Sequence, residues 1–158
     1  MLDFSNSKIL IVGDVMLDKY YFGKVDRISP EAPVPIVNIQ KEESRLGGAS
    51  NVANNIVSLG GHSLLCGVIG HDLFGKEIER ISRHKNIDTF LLKTSSPTIT
   101  KARIIGGKQQ IVRVDYEDKS ELNADNKKLF RDTISRILPE YDILVISDYG
   151  KGLISEDL

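Results

Sequence analysis

Three short apolar runs, each closed by an acidic residue, constrain this chain most. Ile9-Leu10-Ile11-Val12 ends in Gly13-Asp14. Leu64-Leu65-Cys66-Gly67-Val68-Ile69 ends in Gly70-His71-Asp72, and Ile143-Leu144-Val145-Ile146 ends in Ser147-Asp148. Runs that are apolar throughout, rather than alternating, belong to strands covered on both faces, as in a parallel sheet. Helical patterns lie between them. Ser50 to Leu59 puts Val52, Ala53, Ile56 and Leu59 on one stripe, with Gly60-Gly61 as a stop. Phe74 to Lys85 carries Phe74, Ile78 and Ile81 at helical spacing. Asp125 to Leu138 carries Leu129, Phe130, Ile134, Ile137 and Leu138, and Pro139 ends it. Strands alternating with helices predict an α/β fold with a mainly parallel sheet flanked by helices.

The chain has 158 residues, the size of one domain. Its hydrophobic fraction of 41% and charged fraction of 27% are those of a globular protein, not a disordered one. A net charge of −1 gives no electrostatic reason to expect nucleic acid or an anionic membrane as partner. No apolar run approaches the ~18 residues that span a bilayer. The N-terminus lacks the basic region of a secretory signal. One cysteine, Cys66, excludes an internal disulfide and a cysteine-based zinc site, and suits a reducing compartment. These features predict a cytoplasmic protein. His62, His71 and His84 show no metal-ligand spacing.

Two segments fall outside the alternating scheme. Ser29-Pro30-Glu31-Ala32-Pro33-Val34-Pro35 leads into Ile36-Val37-Asn38-Ile39, and its prolines predict an edge strand away from the main sheet. Thr98 to Ile105 and Gln110 to Tyr116 flank Gly106-Gly107-Lys108-Gln109, a β-hairpin signal. Together these segments, about 33–40 and 98–116, predict a small antiparallel β flap beside the core.

Candidate site residues follow from where ligands bind in such sheets, beyond the carboxyl ends of the strands. Asp14 and Asp148 fall on that edge, and Asp18 follows Asp14 by four residues. Carboxylates accept hydrogen bonds from hydroxyl groups, so these acids suit a polyhydroxyl ligand; a helix cap or turn residue is the plainer role. Gly47-Gly48-Ala49-Ser50-Asn51 opens the first helix. Two glycines allow close approach to the backbone, the helix start offers N–H donors, and Asn51 both donates and accepts. A glycine turn with Ser50 as N-cap explains the same residues. The segment is neither a Walker loop nor a dinucleotide loop. On the hairpin, Lys101 and Arg103 share one face by the period of two, and Arg113 shares a face of the returning strand. They suit a phosphate, or equally a charged edge that blocks aggregation. Lys151 in Ser147-Asp148-Tyr149-Gly150-Lys151-Gly152 is either a phosphate partner or a surface lysine. Cys66 reads as a small core residue.

The order of these segments resembles a known family. Val12-Gly13-Asp14-Val15-Met16-Leu17-Asp18, Arg27-Ile28-Ser29-Pro30-Glu31-Ala32-Pro33-Val34-Pro35, Gly47-Gly48-Ala49-Ser50-Asn51-Val52-Ala53, Pro97-Thr98-Ile99-Thr100-Lys101 and Ser147-Asp148-Tyr149-Gly150-Lys151-Gly152 carry the likeness. It is similar to the N-terminal part of the heptose 7-phosphate kinase domain of bifunctional heptose kinase/adenylyltransferases, within the ribokinase-like PfkB carbohydrate kinases. The proline-rich Arg27 to Pro35 segment points to the heptose branch. The resemblance implies a ribokinase-like fold with a β lid. It implies transfer of the ATP γ-phosphoryl, with Mg²⁺, to the anomeric hydroxyl of D-glycero-D-manno-heptose 7-phosphate, a step toward ADP-heptose and lipopolysaccharide core. It also implies that Asp14, Asp18, Gly47, Gly48 and Asn51 hold the sugar. Lys101, Arg103 and Arg113 fall on the flap and are the choice for the 7-phosphate. Asp148 and Lys151 match the cleft floor, and a homodimer forms through the flap.

One family motif has no counterpart here. The sequence Asp-Thr-x-Gly-Ala-Gly-Asp, whose last aspartate is the family's general base, does not occur. Phosphoryl transfer rests on positioning and electrostatic stabilisation. The expectation is therefore the N-terminal portion of one kinase domain, holding the sugar side and the lid. It has no catalytic base, no metal ligands and no tight hold on ATP or Mg²⁺, and it is inactive alone. An uncovered apolar sheet edge and self-association are expected with it. Another PfkB sugar or nucleoside kinase, and a non-catalytic sugar-phosphate-binding or dimerisation module, are the alternatives.

Overall fold

The computed structural model describes residues 7–118 and 122–155. The three apolar runs become strands β1 (Lys8–Gly13), β4 (His62–Gly70) and β8 (Ile143–Ser147), and β5 (Asp88–Thr94) joins them. They form one fully parallel sheet in the order β5-β4-β1-β8. Alternate residues of β1 face opposite layers. Ile9 and Ile11 pack with Leu65 and Ile69 under Ala53 of α1 (Ala49–Ser58) and Ile78 and Ile81 of α2 (Leu73–His84). Leu10 and Val12 pack with Cys66 under Phe130 and Ile134 of α3 (Ala124–Ile137). Burial on both faces is why the runs need apolar residues at every position. Each such side chain removed from water contributes about 1.5–3 kcal/mol.

The flap is larger than the sequence suggests. A second sheet has the order β3-β2-β6-β7 and is built from β2 (Val15–Ile28), β3 (Pro35–Gly48), β6 (Thr100–Gly106) and β7 (Gln109–Tyr116). The expected edge strand is present, but β3 runs on through Lys41 to Gly48, and β2 is an unexpected partner. The β2–β3 and β6–β7 junctions are antiparallel, whereas β2 and β6 run parallel. The β2–β3 pairing shifts register between Phe22 and Gly23 and between Val25 and Arg27. A single residue, Asp14, separates β1 from β2, so the chain passes directly from the core sheet to the flap.

Three positions in and after the helices depart from the sequence pattern. α1 stops at Ser58, and Leu59, expected on the apolar stripe, adopts the cap conformation and is 67% exposed. Leu129 of α3 is also exposed. Pro139 lies in a single 3-10 turn, Leu138–Glu140, that extends α3 before β8. Asp72, one of the strand-end acids, caps α2. Its Oδ1 accepts from the Gly75 N–H at 2.7 Å, and Oδ2 accepts from the Thr98 N–H at 2.8 Å. Burial pushes this carboxyl up, but these bonds outweigh it and hold it below its ordinary 3.8. The same residue thus starts a helix and ties the segment leading into β6 to the core. No described helix is long and apolar enough to cross a membrane.

Candidate functional site

Asp14 sits where the two sheets and α1 meet, and it is 2% exposed. Its N–H donates to the Ser147 carbonyl at 3.1 Å, and its own carbonyl accepts from the Ala49 N–H at 2.9 Å. Its carboxylate Oδ2 accepts from the Tyr149 N–H at 2.8 Å and from the Lys151 N–H at 3.2 Å. One residue therefore fastens the tip of β8 and the start of α1 to the end of β1.

Close approach to backbone requires glycine at 48, and a side chain at 47 would displace the Asp18 carboxylate. At Gly48, φ is +54°, and a Cβ would lie 2.3 Å from the Asp14 carbonyl oxygen. At Gly47 a Cβ would lie 2.6 Å from Asp18 Oδ2. Gly48 is the N-cap of α1 and has no capping side chain. Ser50 lies inside the helix rather than at its cap. Its single O–H is shared between the Gly47 carbonyl at 2.6 Å and the Met16 carbonyl at 3.1 Å, pinning the glycine pair to β2.

These contacts organise two neighbouring hollows. One lies beyond the carboxyl ends of β1, β4 and β5, and Asp14, Thr94, Ser96, Asp118 and Lys151 line it. The Lys151 ammonium pairs with Glu117. The other is a groove along the edge of the flap, lined by Asp18, Tyr20, Arg45, Asn51 and Asn54. Asn51 is exposed on the first turn of α1. Asp148 lines neither hollow. It is exposed, and its Oδ1 accepts from the Gly150 N–H at 2.8 Å in a turn.

The flap cations are brought together by register. Asp18 pairs with Lys101, and Tyr20 with Arg103, across β2 and β6; Lys101 faces Asp115, and Arg103 faces Arg113, across β6 and β7. Arg103 Nη1 donates to Asp18 Oδ1 at 2.6 Å, with both side chains largely covered. Burial alone lowers the Arg103 pKa, but the Asp18 carboxylate more than offsets it and the guanidinium is held charged. Arg113 makes two bonds to Asp115, whose carboxyl they pull below its ordinary value. Asp18, Lys101, Arg103 and Arg113 thus share one face of the flap, with Gly47 and Gly48 beside Asp18.

Burial pushes the Cys66 thiol up to about 12, so it stays a neutral core residue. Among the described residues, no three His, Cys, Asp or Glu side chains come together to hold a metal ion. None of them is assigned to Mg²⁺. Tyr20 and Arg45 escaped the sequence reading because β2 was not recognised. The register of β2 and β3, which pairs Asp18 with Arg45, is what places them at the site.

A model of pfkB family carbohydrate kinases matches residues 6–157. The chain belongs to that family. Among solved pfkB-like folds, a phosphofructokinase described as putative from Staphylococcus aureus superposes with a TM-score of 0.76 at 16% identity, over 95% of this chain and 46% of the other. Phosphofructokinase-2 from Escherichia coli, in complex with fructose-6-phosphate, gives 0.66 at 19% identity, over 91% and 46%. At such identities these structures establish the fold. Sequence relatives are nearer. The chain is 46% identical to the bifunctional protein HldE of Nitratiruptor sp. over 96% of its length and 33% of the relative's. It is 46% identical to the D-beta-D-heptose 7-phosphate kinase of Bordetella bronchiseptica over 95% and 48%. It is 48% identical to HldE of Helicobacter pylori strain P12 over 96% and 33%. This pfkB chain therefore spans a third to a half of the length of these relatives.

Proposed function

We propose that this chain forms the sugar-binding part of a kinase for a heptose 7-phosphate. The observation that carries the reading is the 46% identity to a D-beta-D-heptose 7-phosphate kinase over 95% of this chain. The site chemistry agrees with it. Asp18 and Asn51 present acceptors and donors suited to sugar hydroxyls along one groove. Arg103, fixed by Asp18, offers a charged donor to the 7-phosphate, with Lys101 and Arg113 on the same face. Asp14, Gly47 and Gly48 set the backbone that brings these groups together. Asp148 shapes the exposed turn at the β8 tip, and Lys151 beyond it lines the hollow at the ends of β1, β4 and β5. ATP and Mg²⁺ are the co-substrates this reading requires, the phosphoryl going to the anomeric hydroxyl, in the cytoplasm where ATP is made.

The reading also assigns a homodimer to the flap. Tyr21, Ile104 and Val112 align across β2, β6 and β7, with Ala102 and Val114 beside Lys19 in the next row, the Lys19 ammonium being drawn to Glu42. Val112 and Val114 are 45% and 40% exposed. An apolar sheet face of this kind is suited to a second copy of itself. Sedimentation at micromolar concentration is expected to show a dimer; a monomer would remove this assignment.

The enzymatic test compares two proteins. One is the chain as it stands. The other is the chain extended by the portion of the Bordetella kinase that follows the matched region. ATP-dependent formation of a heptose bisphosphate is expected only in the extended protein. Turnover by the short chain, or none by either, contradicts the reading. In the extended protein, Arg103→Ala removes a charge-assisted bond and should raise KM for heptose 7-phosphate about 10- to 100-fold. Unphosphorylated heptose should be affected far less. Equal losses on both sugars would show that Arg103 only supports the flap.

A further inference from the structure

The ring of Tyr20 is contacted by two guanidinium groups that come from different strands. Arg45 of β3 has its Cζ 4.8 Å from the ring centroid, and Arg103 of β6 has its Cζ 5.2 Å away. Both fall within the ~6 Å at which a cation is attracted to an aromatic face. Since β3 and β6 flank β2 on either side, the two arginines approach Tyr20 from opposite neighbours. Phe22 stacks on Tyr20 with ring centroids 6.0 Å apart and planes within 10°, which fixes the ring.

Each guanidinium is also anchored by a carboxylate. Arg45 Nη2 donates to Glu43 Oε2 at 2.7 Å, and Arg103 Nη1 donates to Asp18 Oδ1 at 2.6 Å. A guanidinium has five N–H donors. Arg103 also reaches the Lys101 carbonyl, but again through Nη1. Its Nε and Nη2 therefore make no hydrogen bond to a described residue, and neither do Nε and Nη1 of Arg45. The result is two charged groups with open donors, held by one ring beside the groove that contains Asp18 and Asn51.

Resting on the functional reading above, we infer that Tyr20 is a positioning residue and that Arg45 is a second contact to the substrate phosphate. A phosphomonoester carries between one and two negative charges and three acceptor oxygens, which matches a pair of guanidinium groups better than one. Ordering two long side chains before the ligand arrives reduces the freedom lost on binding. The ring supplies that order, and the anchoring carboxylates keep both arginines from swinging away.

Calorimetric titration of the chain with heptose 7-phosphate and with unphosphorylated heptose tests this. Tyr20→Leu should weaken binding of the phosphorylated sugar about tenfold, as expected when two long side chains must be ordered on binding, and leave the unphosphorylated sugar within about twofold. Tyr20→Phe keeps the ring and should restore wild-type affinity. Arg45→Ala should reproduce the Tyr20→Leu effect; its exposed side chain makes it the deciding variant if Tyr20→Leu does not fold. Wild-type binding that is unchanged in Tyr20→Leu or in Arg45→Ala, or weakened equally for both sugars, overturns this inference alone. A wild-type chain that binds neither sugar overturns the functional reading and this inference with it.

Discussion

Gly48→Ala is expected to lower the midpoint of thermal unfolding by about 10 °C. Two costs add. The backbone at φ +54° and ψ −135° is one that side chains rarely adopt, which costs about 1–3 kcal/mol. The new Cβ would also stand 2.3 Å from the Asp14 carbonyl oxygen, and that atom cannot move without breaking its bond to the Ala49 N–H. Overpacking against fixed backbone adds about 1–3 kcal/mol. A total near 3 kcal/mol corresponds to about 10 °C for a chain of this size. Gly107→Ala is the control. Its φ is +64°, but nothing lies within 4 Å of a Cβ there, so only the strain should register. Circular dichroism melts of both variants make the comparison. Similar midpoints for the two would refute the clash at Asp14.

Asp14 is expected to show an unusual ranking of substitutions. Its Oδ2 alone receives both the Tyr149 and the Lys151 N–H. Asparagine can place its carbonyl oxygen there and keep both bonds, losing only the charge. Alanine leaves two partly buried donors unpaired. Asp14→Ala should therefore cost about 3 kcal/mol and Asp14→Asn about 1, because an unsatisfied buried group costs more than a weakened bond. Urea denaturation gives the two values, and hydrogen exchange at Tyr149 and Lys151 should accelerate only in the alanine variant. Equal losses in both would mean that the carboxylate acts through its charge and not through these bonds.

The core strands were legible because burial on both faces leaves a mark in the sequence of the strand itself. Ile9 to Val12 and Leu64 to Ile69 need no knowledge of their neighbours. β2 and β5 left no such mark. Lys19-Tyr20-Tyr21-Phe22-Gly23-Lys24 neither alternates nor runs apolar, because β2 sits between β3 and β6 in a sheet with one partly open face, and its pairing decides its conformation. The charged stretch from Lys41 to Arg45 hid the far half of β3 in the same way. The site divides along the same line. Asp14, the glycine pair and the β8 tip are local features of strand ends and a helix start, so sequence order reveals them. The pairing of Asp18 with Arg103 joins residues 85 apart. The gathering of Arg45, Tyr20 and Arg103 depends on three strands in register. Neither is visible until the flap is assembled.

The single-residue link between β1 and β2 limits how the flap can travel. Asp14 is bonded through its N–H to Ser147, through its carbonyl to Ala49 and through its carboxylate to the loop after β8. A joint held on three sides has almost no torsional freedom. Any closure over a bound molecule must instead come from flexing of the outer part of β2, where its pairing with β3 slips at Phe22–Gly23 and again at Val25–Arg27. Asp18 and Tyr20 lie on the stiff side of those slips. The proline-rich tip lies beyond them, so flexing at the slips would carry the tip and leave Asp18 and Tyr20 in place.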